Sequence, residues 1–270
     1  MNILLEIALF FYLISTIGHI ISLLVRRVLI AKVSTWALFS AFFVHTIYIL
    51  SRWVQTGYGP VANTYESLSF VAWSISGIYL AFQIMTKTRV LGVFVSPLAF
   101  ILAIGASVNL VGDIEMPEML KGPWALVHIT LSLTGEALFA LAFMAGLMYL
   151  LQDSLIRKKK VHSFSRLLPP LRDLDRINHI SILWGFFLLT SGIVAGSIWA
   201  RTVWGSQWQW DPKQISTLFA WIIYALLLHQ RIAIGWKGRK AAFLSIAAFI
   251  ILLFTFVGVN IFFVTLHNFM

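Results

Sequence analysis

This chain of 270 residues is 60% hydrophobic and 11% charged, with a mean hydropathy of +0.88. A soluble domain carries about 25% charged residues, so that class is excluded. The 20 basic and 10 acidic residues leave a net charge of +10, which in so apolar a chain reads as membrane topology and argues against nucleic-acid binding.

Apolar stretches fall at about 3–25, 34–52, 66–86, 90–111, 124–151, 179–200, 213–231 and 241–266, most of them near the 20 or so residues a helix needs to cross the hydrocarbon. They predict an all-α, polytopic membrane bundle of about eight helices, with 1–270 as a single integral membrane domain. No Lys or Arg precedes Arg26, so the first stretch lacks the basic start of a cleavable signal peptide and is expected to stay as a span.

An even number of spans puts both termini on one side, and the basic residues decide which. Loops 1–2, 3–4, 5–6 and 7–8 hold Arg26, Arg27, Lys32, Lys87, Arg89, Arg157, Lys158, Lys159, Lys160, Arg166, Arg172, Arg176, Arg231, Lys237, Arg239 and Lys240. The other face has Arg52, Lys121, Arg201 and Lys213. The first face is therefore expected to be cytoplasmic and both termini extracytoplasmic. The longest connection, roughly 27 residues after span 5, then lies in the cytoplasm, and the outer loops are short.

Two helix starts face outward. Asn63-Thr64-Tyr65-Glu66 sets a capping residue three before a carboxylate, and Asp211-Pro212-Lys213-Gln214 sets an acidic N-cap before a first-turn proline. Between spans 6 and 7 stands Trp204-Gly205-Ser206-Gln207-Trp208-Gln209-Trp210-Asp211. Three indoles in a loop at about 201–213, beside Arg201 and Lys213, suit a flat ligand that carries carboxylates, and haem is the obvious candidate. Asp211 serves equally well as a plain cap.

Of seven histidines, His128 lies one turn into span 5 from the outer side and His267 at the outer end of span 8. Two imidazoles at one level are what axial ligation of haem iron requires, although a lone histidine near a helix end is commonly an interfacial hydrogen-bonding residue. His229, His179 and His19 lie toward the cytoplasmic face, and ionisable groups within spans tend to mark pathways. His45 is mid-span with no visible partner, and His162 is in a loop. The chain has no cysteine, so any thiol chemistry belongs to a partner.

The string from Trp204 to Gln214 resembles the tryptophan-rich WWD signature of haem-handling proteins, and its flanks resemble the CcsA (ResC) family of System II cytochrome c biogenesis. Asn63-Thr64-Tyr65-Glu66-Ser67 looks like that family's N-x-Y-E-S element, and Pro123-Trp124 to His128 like its external-histidine segment. Leu228-His229-Gln230-Arg231 looks like the intramembrane-histidine segment. Phe256 to Asn260, leading to Leu266-His267, looks like the C-terminal histidine segment. Gln207 stands where an aromatic is common, and Gln214 where Glu is usual.

The resemblance implies a subunit that transports haem b as its substrate and presents it outside for covalent attachment to apocytochrome c. It would act within a haem-attachment complex and not as a stand-alone enzyme. His128 and His267 would be external axial ligands, with Trp204, Trp208, Trp210 and Asp211 facing the haem. His229 would be one ligand of an intramembrane site. A CcsB/ResB-type membrane partner would supply the outer domain and another histidine. The expected location is a bacterial cytoplasmic membrane, or the thylakoid membrane for a plastid-encoded chain. Alternatives are a HemX-type regulator of tetrapyrrole synthesis, the System I haem-handling protein, and a solute channel whose aromatics, Trp53, Trp124 and Trp199 among them, form an interfacial belt.

Overall fold

The computed structural model describes residues 2–25, 27–86, 88–108, 118–159 and 168–263, and all regular structure among them is helical. The helices are α1 (Asn2–Val25), α2 (Val28–Thr56), α3 (Thr64–Thr86), α4 (Gly92–Ser107), α5 (Pro123–Arg157), α6 (Leu171–Trp204), α7 (Pro212–Ile232), α8 (Arg239–Leu253) and α9 (Val259–Phe262). Seven helical segments, falling on α1 to α7, are long and apolar enough to cross a membrane. The eighth expected span is α8, only 15 residues long, continued by a π turn at Phe254–Gly258 and then by α9.

The helices outrun several apolar stretches. α5 reaches Arg157 and α6 begins at Leu171, so the connection expected to span roughly 27 residues is reduced to residues 158–170. Polar turns persist here because partners hold them. Arg157 Nε donates to Asp153 at 2.9 Å, and Asp175 accepts from Arg231 Nη2 and from the Gly238 backbone, each at 2.9 Å.

The chain forms two compact units. Unit 1 is Met1–Glu118 with Val161–Pro169, and unit 2 is Met119–Lys160 with Pro170–Met270. In unit 1, α1 packs on α2 and α4, and α3 on α4 and α2. Its polarity is arranged for a bilayer: Tyr12, Ser15, His19, His45 and Ser76 are buried, while Phe10, Trp36 and Phe43 are exposed. At the end bearing Glu66, Asn63 Oδ1 accepts from Glu66 N at 2.9 Å, as the capping pattern predicts. The Glu66 carboxylate accepts from Arg52 Nε at 3.1 Å and from Ala62 N at 2.9 Å. Both charged side chains are buried. Glu66→Ala strands the guanidinium, so the variant should lose about 3–5 kcal/mol, read as a lower melting temperature in detergent. An unchanged midpoint would show that the pair contributes nothing.

In unit 2, α5 packs on α6 and α8, and α7 contacts α8 and α6. Gly192 and Gly196 let α6 approach α5 closely: a Cβ added to Gly192 would lie 2.5 Å from Ser132 Oγ, and one added to Gly196 2.6 Å from His128 Nδ1. Farther along, Phe139 of α5 stacks on Tyr224 of α7 with ring centroids 3.7 Å apart. Asn178 then closes the far end, donating to the Ala142 carbonyl at 2.7 Å and accepting from Arg231 Nη1 at 2.8 Å.

Candidate functional site

His128 lies in the second turn of α5, which starts with Pro123 at its first position, where the missing N–H costs no helical bond. Its imidazole sits between two elements of α6. On one side the ring stacks on Trp199, with centroids 5.9 Å apart and planes 17° off parallel. Elsewhere, Nδ1–H donates to the Gly192 carbonyl at 2.8 Å. A carbonyl only accepts, so the proton is held on Nδ1 and Nε2 keeps its lone pair. This is the arrangement that orients a histidine for binding metal.

Trp199 does not fit the belt of the solute-channel alternative: it is 2% exposed, and its Nε1 donates to the Met119 carbonyl at 2.8 Å. It is a shelf for His128. Trp204, the last residue of α6, meets Trp199 edge-on at 5.1 Å, so the aromatic surface runs from His128 toward the loop.

The tryptophan loop braces itself. Gly205 adopts φ +74° to end α6. Ser206 Oγ donates to the Trp208 carbonyl at 2.9 Å, and Gln209 N donates to Gln214 Oε1 at 2.9 Å. Gln214 stands where Glu is usual, and its amide oxygen accepts this bond as a carboxylate would. Asp211 is buried and accepts from Lys213 N at 3.0 Å, the N-cap role expected of it. Trp208 and Trp210 meet edge to face at 5.9 Å. Trp208 has a buried Nε1–H without a partner, a donor left available for an acceptor group. Trp210 is 74% exposed with φ +55°, a left-handed backbone that an aromatic residue adopts at a cost of roughly 1–3 kcal/mol. Its strained turn projects an indole outward.

Lys213 is half-buried and within electrostatic reach of His128, Asp211 and Glu136. Arg201 is exposed. Glu136 escaped the sequence reading, although it is the sole acidic residue of α5 before Asp153. It stands two turns below His128, and a carboxyl at that depth was itself a signal.

His229 is exposed on α7, near that helix's far end. It lies 17 residues beyond Pro212, about 25 Å along the axis, so the structure does not bring it together with His128. His179 is half-buried, and its Nδ1 lacks a partner. His267, the other expected external ligand, lies outside the described residues, as does His162. Among the described residues no group of three or more His, Asp or Glu forms a metal cluster. The histidine, the aromatic shelf and the unpaired indole donor nevertheless fit a planar metal chelate with acceptor groups at its edge.

Residues 61–267 match the family described as "Cytochrome C assembly protein". The chain is 31% identical to "Cytochrome c biogenesis protein CcsA" of Guillardia theta, over 83% of this chain and 81% of that one. It is likewise 31% identical to the protein of that name from Microcystis aeruginosa, over 81% of each. Among solved structures, "Cytochrome c Heme Lyase CcmF" superposes with a TM-score of 0.66 at 16% identity, covering 95% of this chain and 46% of that one. That likeness shows the fold.

Proposed function

The chain belongs to the cytochrome c assembly protein family, and from that premise we propose that it presents haem b at the outer end of unit 2 for attachment to apocytochrome c. It is a multi-pass membrane protein of cytochrome c biogenesis. The single observation that carries the proposal is the bond from His128 Nδ1–H to the Gly192 carbonyl, which leaves Nε2 as a ligand for iron.

In this reading haem is cargo. His128 and His267 are its axial ligands, Trp204, Trp208 and Trp210 cover the macrocycle, and Asp211 fixes the loop. Trp208 Nε1–H and the Lys213 ammonium suit the propionates. Two histidines saturate the iron and shield it from adventitious chemistry. With no cysteine in the chain, the thiols that add to the haem vinyl groups come from the apocytochrome. An exposed His229 suits an inner ligand set completed by a CcsB/ResB-type partner seated against α7. The membrane is the cytoplasmic membrane of a bacterium, or the thylakoid membrane when the gene is in a plastid, with the tryptophan loop outside.

The test is the reduced visible spectrum of the chain purified with its partner from a haem-producing host. A low-spin b-type spectrum is expected, and absence of haem from the intact complex overturns the reading. Trp208→Ala with Trp210→Ala should leave insertion normal and lower the retained haem several-fold. Undiminished haem in that double variant would reduce the loop to a surface anchor.

A further inference from the structure

At the end of unit 2 away from His128, one carboxylate ties three segments together. Asp175 of α6 accepts from Arg231 Nη2 of α7 and from Gly238 N in the turn after α7, each at 2.9 Å. Arg231 Nη2 donates also to the Asp175 carbonyl at 3.2 Å, and Nη1 to Asn178 Oδ1 at 2.8 Å. Asn178 in turn donates to the Ala142 carbonyl of α5 at 2.7 Å and to Ser245 Oγ of α8 at 2.8 Å. The guanidinium of α7 is therefore fixed to α6 directly, and through Asn178 to α5 and α8.

α7 has two faces. Ala220, Tyr224, Leu227 and Arg231 recur at helical spacing, and all are buried. Phe219, Ile222, Leu226 and His229 recur on the other side, and all are exposed. Arg231 follows His229 by two residues, about 200° around the helix. Whatever holds Arg231 inward therefore turns His229 outward. Both residues stand in the last turn of α7, which ends at Ile232, where the final carbonyls run out of helical partners. Beyond the helix's own ladder, that turn is held by the bonds of Arg231 and by the bond from Trp236 N to the Gln230 carbonyl at 3.0 Å.

We propose that Arg231 and Asp175 are positioning residues for His229: by fixing the last turn of α7 they set the side and the level at which its imidazole is presented. The proposal rests on the reading of His229 as an inner haem ligand, and adds that the ligand's direction is governed from the opposite face of its own helix. His128 is oriented by a bond to its own ring, from Nδ1–H to the Gly192 carbonyl, as metal-binding histidines commonly are. Among the described residues no hydrogen bond holds the His229 ring, so its direction is set through the backbone.

Stability alone is a poor reason for this pair, since apolar residues of similar volume commonly serve as well in place of a buried ion pair. A guanidinium adds direction. Its planar fork of donors meets Asp175 and Asn178 at once, which neither an apolar side chain nor the single ammonium of a lysine reproduces.

Two measurements test the proposal. Arg231→Lys keeps the charge and loses the fork, and Asp175→Asn keeps the shape and loses the charge. In the purified full chain without haem, amides 229–232 should exchange with solvent about ten-fold faster in either variant, while amides 216–224 keep their rate. Haem titration of the complex with its partner, carrying His128→Ala so that the inner site alone contributes the low-spin spectrum, should show affinity lowered about ten-fold. Arg176→Gln, at an exposed neighbour on α6, should change neither. Arg231→Lys is the milder change and decides the matter if Asp175→Asn fails to insert. Unchanged exchange or unchanged affinity in Arg231→Lys overturns the proposal. His229→Ala separates the two claims: if it abolishes an inner spectrum that Arg231→Lys leaves intact, only the positioning role falls, and if it too leaves that spectrum intact, the inner-site reading falls as well.

Discussion

Replacing His128 by Ala should abolish cytochrome c maturation while the protein remains inserted at its normal level. The substitution removes an imidazole that a carbonyl and an indole face hold in one tautomer and one orientation. It removes little else: His128 is half-buried near the outer end of α5, so the α5–α6 contact below it survives. Haem-stained cytochrome in membranes is the first readout and the spectrum of the purified complex is the second. Added imidazole, entering the space between Trp199 and Gly196, should partly restore the low-spin spectrum. Normal maturation in His128→Ala would remove this residue from the ligand set.

Gly196→Val should come close to that loss without touching the ligand itself. Even a Cβ at this position falls 2.6 Å from His128 Nδ1 and 2.8 Å from Cε1, so the ring is driven off the Gly192 carbonyl. Loss of such an orienting contact typically weakens a metal site by about 10–100-fold, and retained haem should fall accordingly. Gly122→Ala is the matched control, at the N-cap six residues before His128, since a Cβ there meets nothing within 4 Å. Equal haem in Gly196→Val and the intact protein would show that His128 binds nothing that depends on its orientation.

Much of this was legible in the residues. The spans announce themselves because lipid demands unbroken apolar stretches, and Asp211-Pro212 marks the start of α7 through capping chemistry alone. The extended ends of α5 and α6 were hidden because their polar turns are held by residues far off in the chain, as Asp175 is by Arg231. The part Trp199 plays beside His128 was not legible, because an indole facing lipid and one facing protein look alike in sequence. His45 showed no partner for a similar reason: Ser69 and Tyr12 are ordinary residues until folding brings them to it. His267 was expected from its segment's resemblance, and its geometry lies outside the described residues.

The π turn at Phe254–Gly258 has a bearing on how this helix tolerates change in length. A π turn holds one residue more than the α-helical turn it replaces, so it is a built-in insertion. Deleting one residue there would let α8 and α9 fuse into a single regular helix. The positions beyond it would keep their faces, because the π turn absorbs its surplus residue locally, whereas a deletion in the regular part of α8 would turn every later face by about 100°. The segment that follows leads to His267. This helix can therefore lose one position at its π turn without turning the faces of α8 against those of α9.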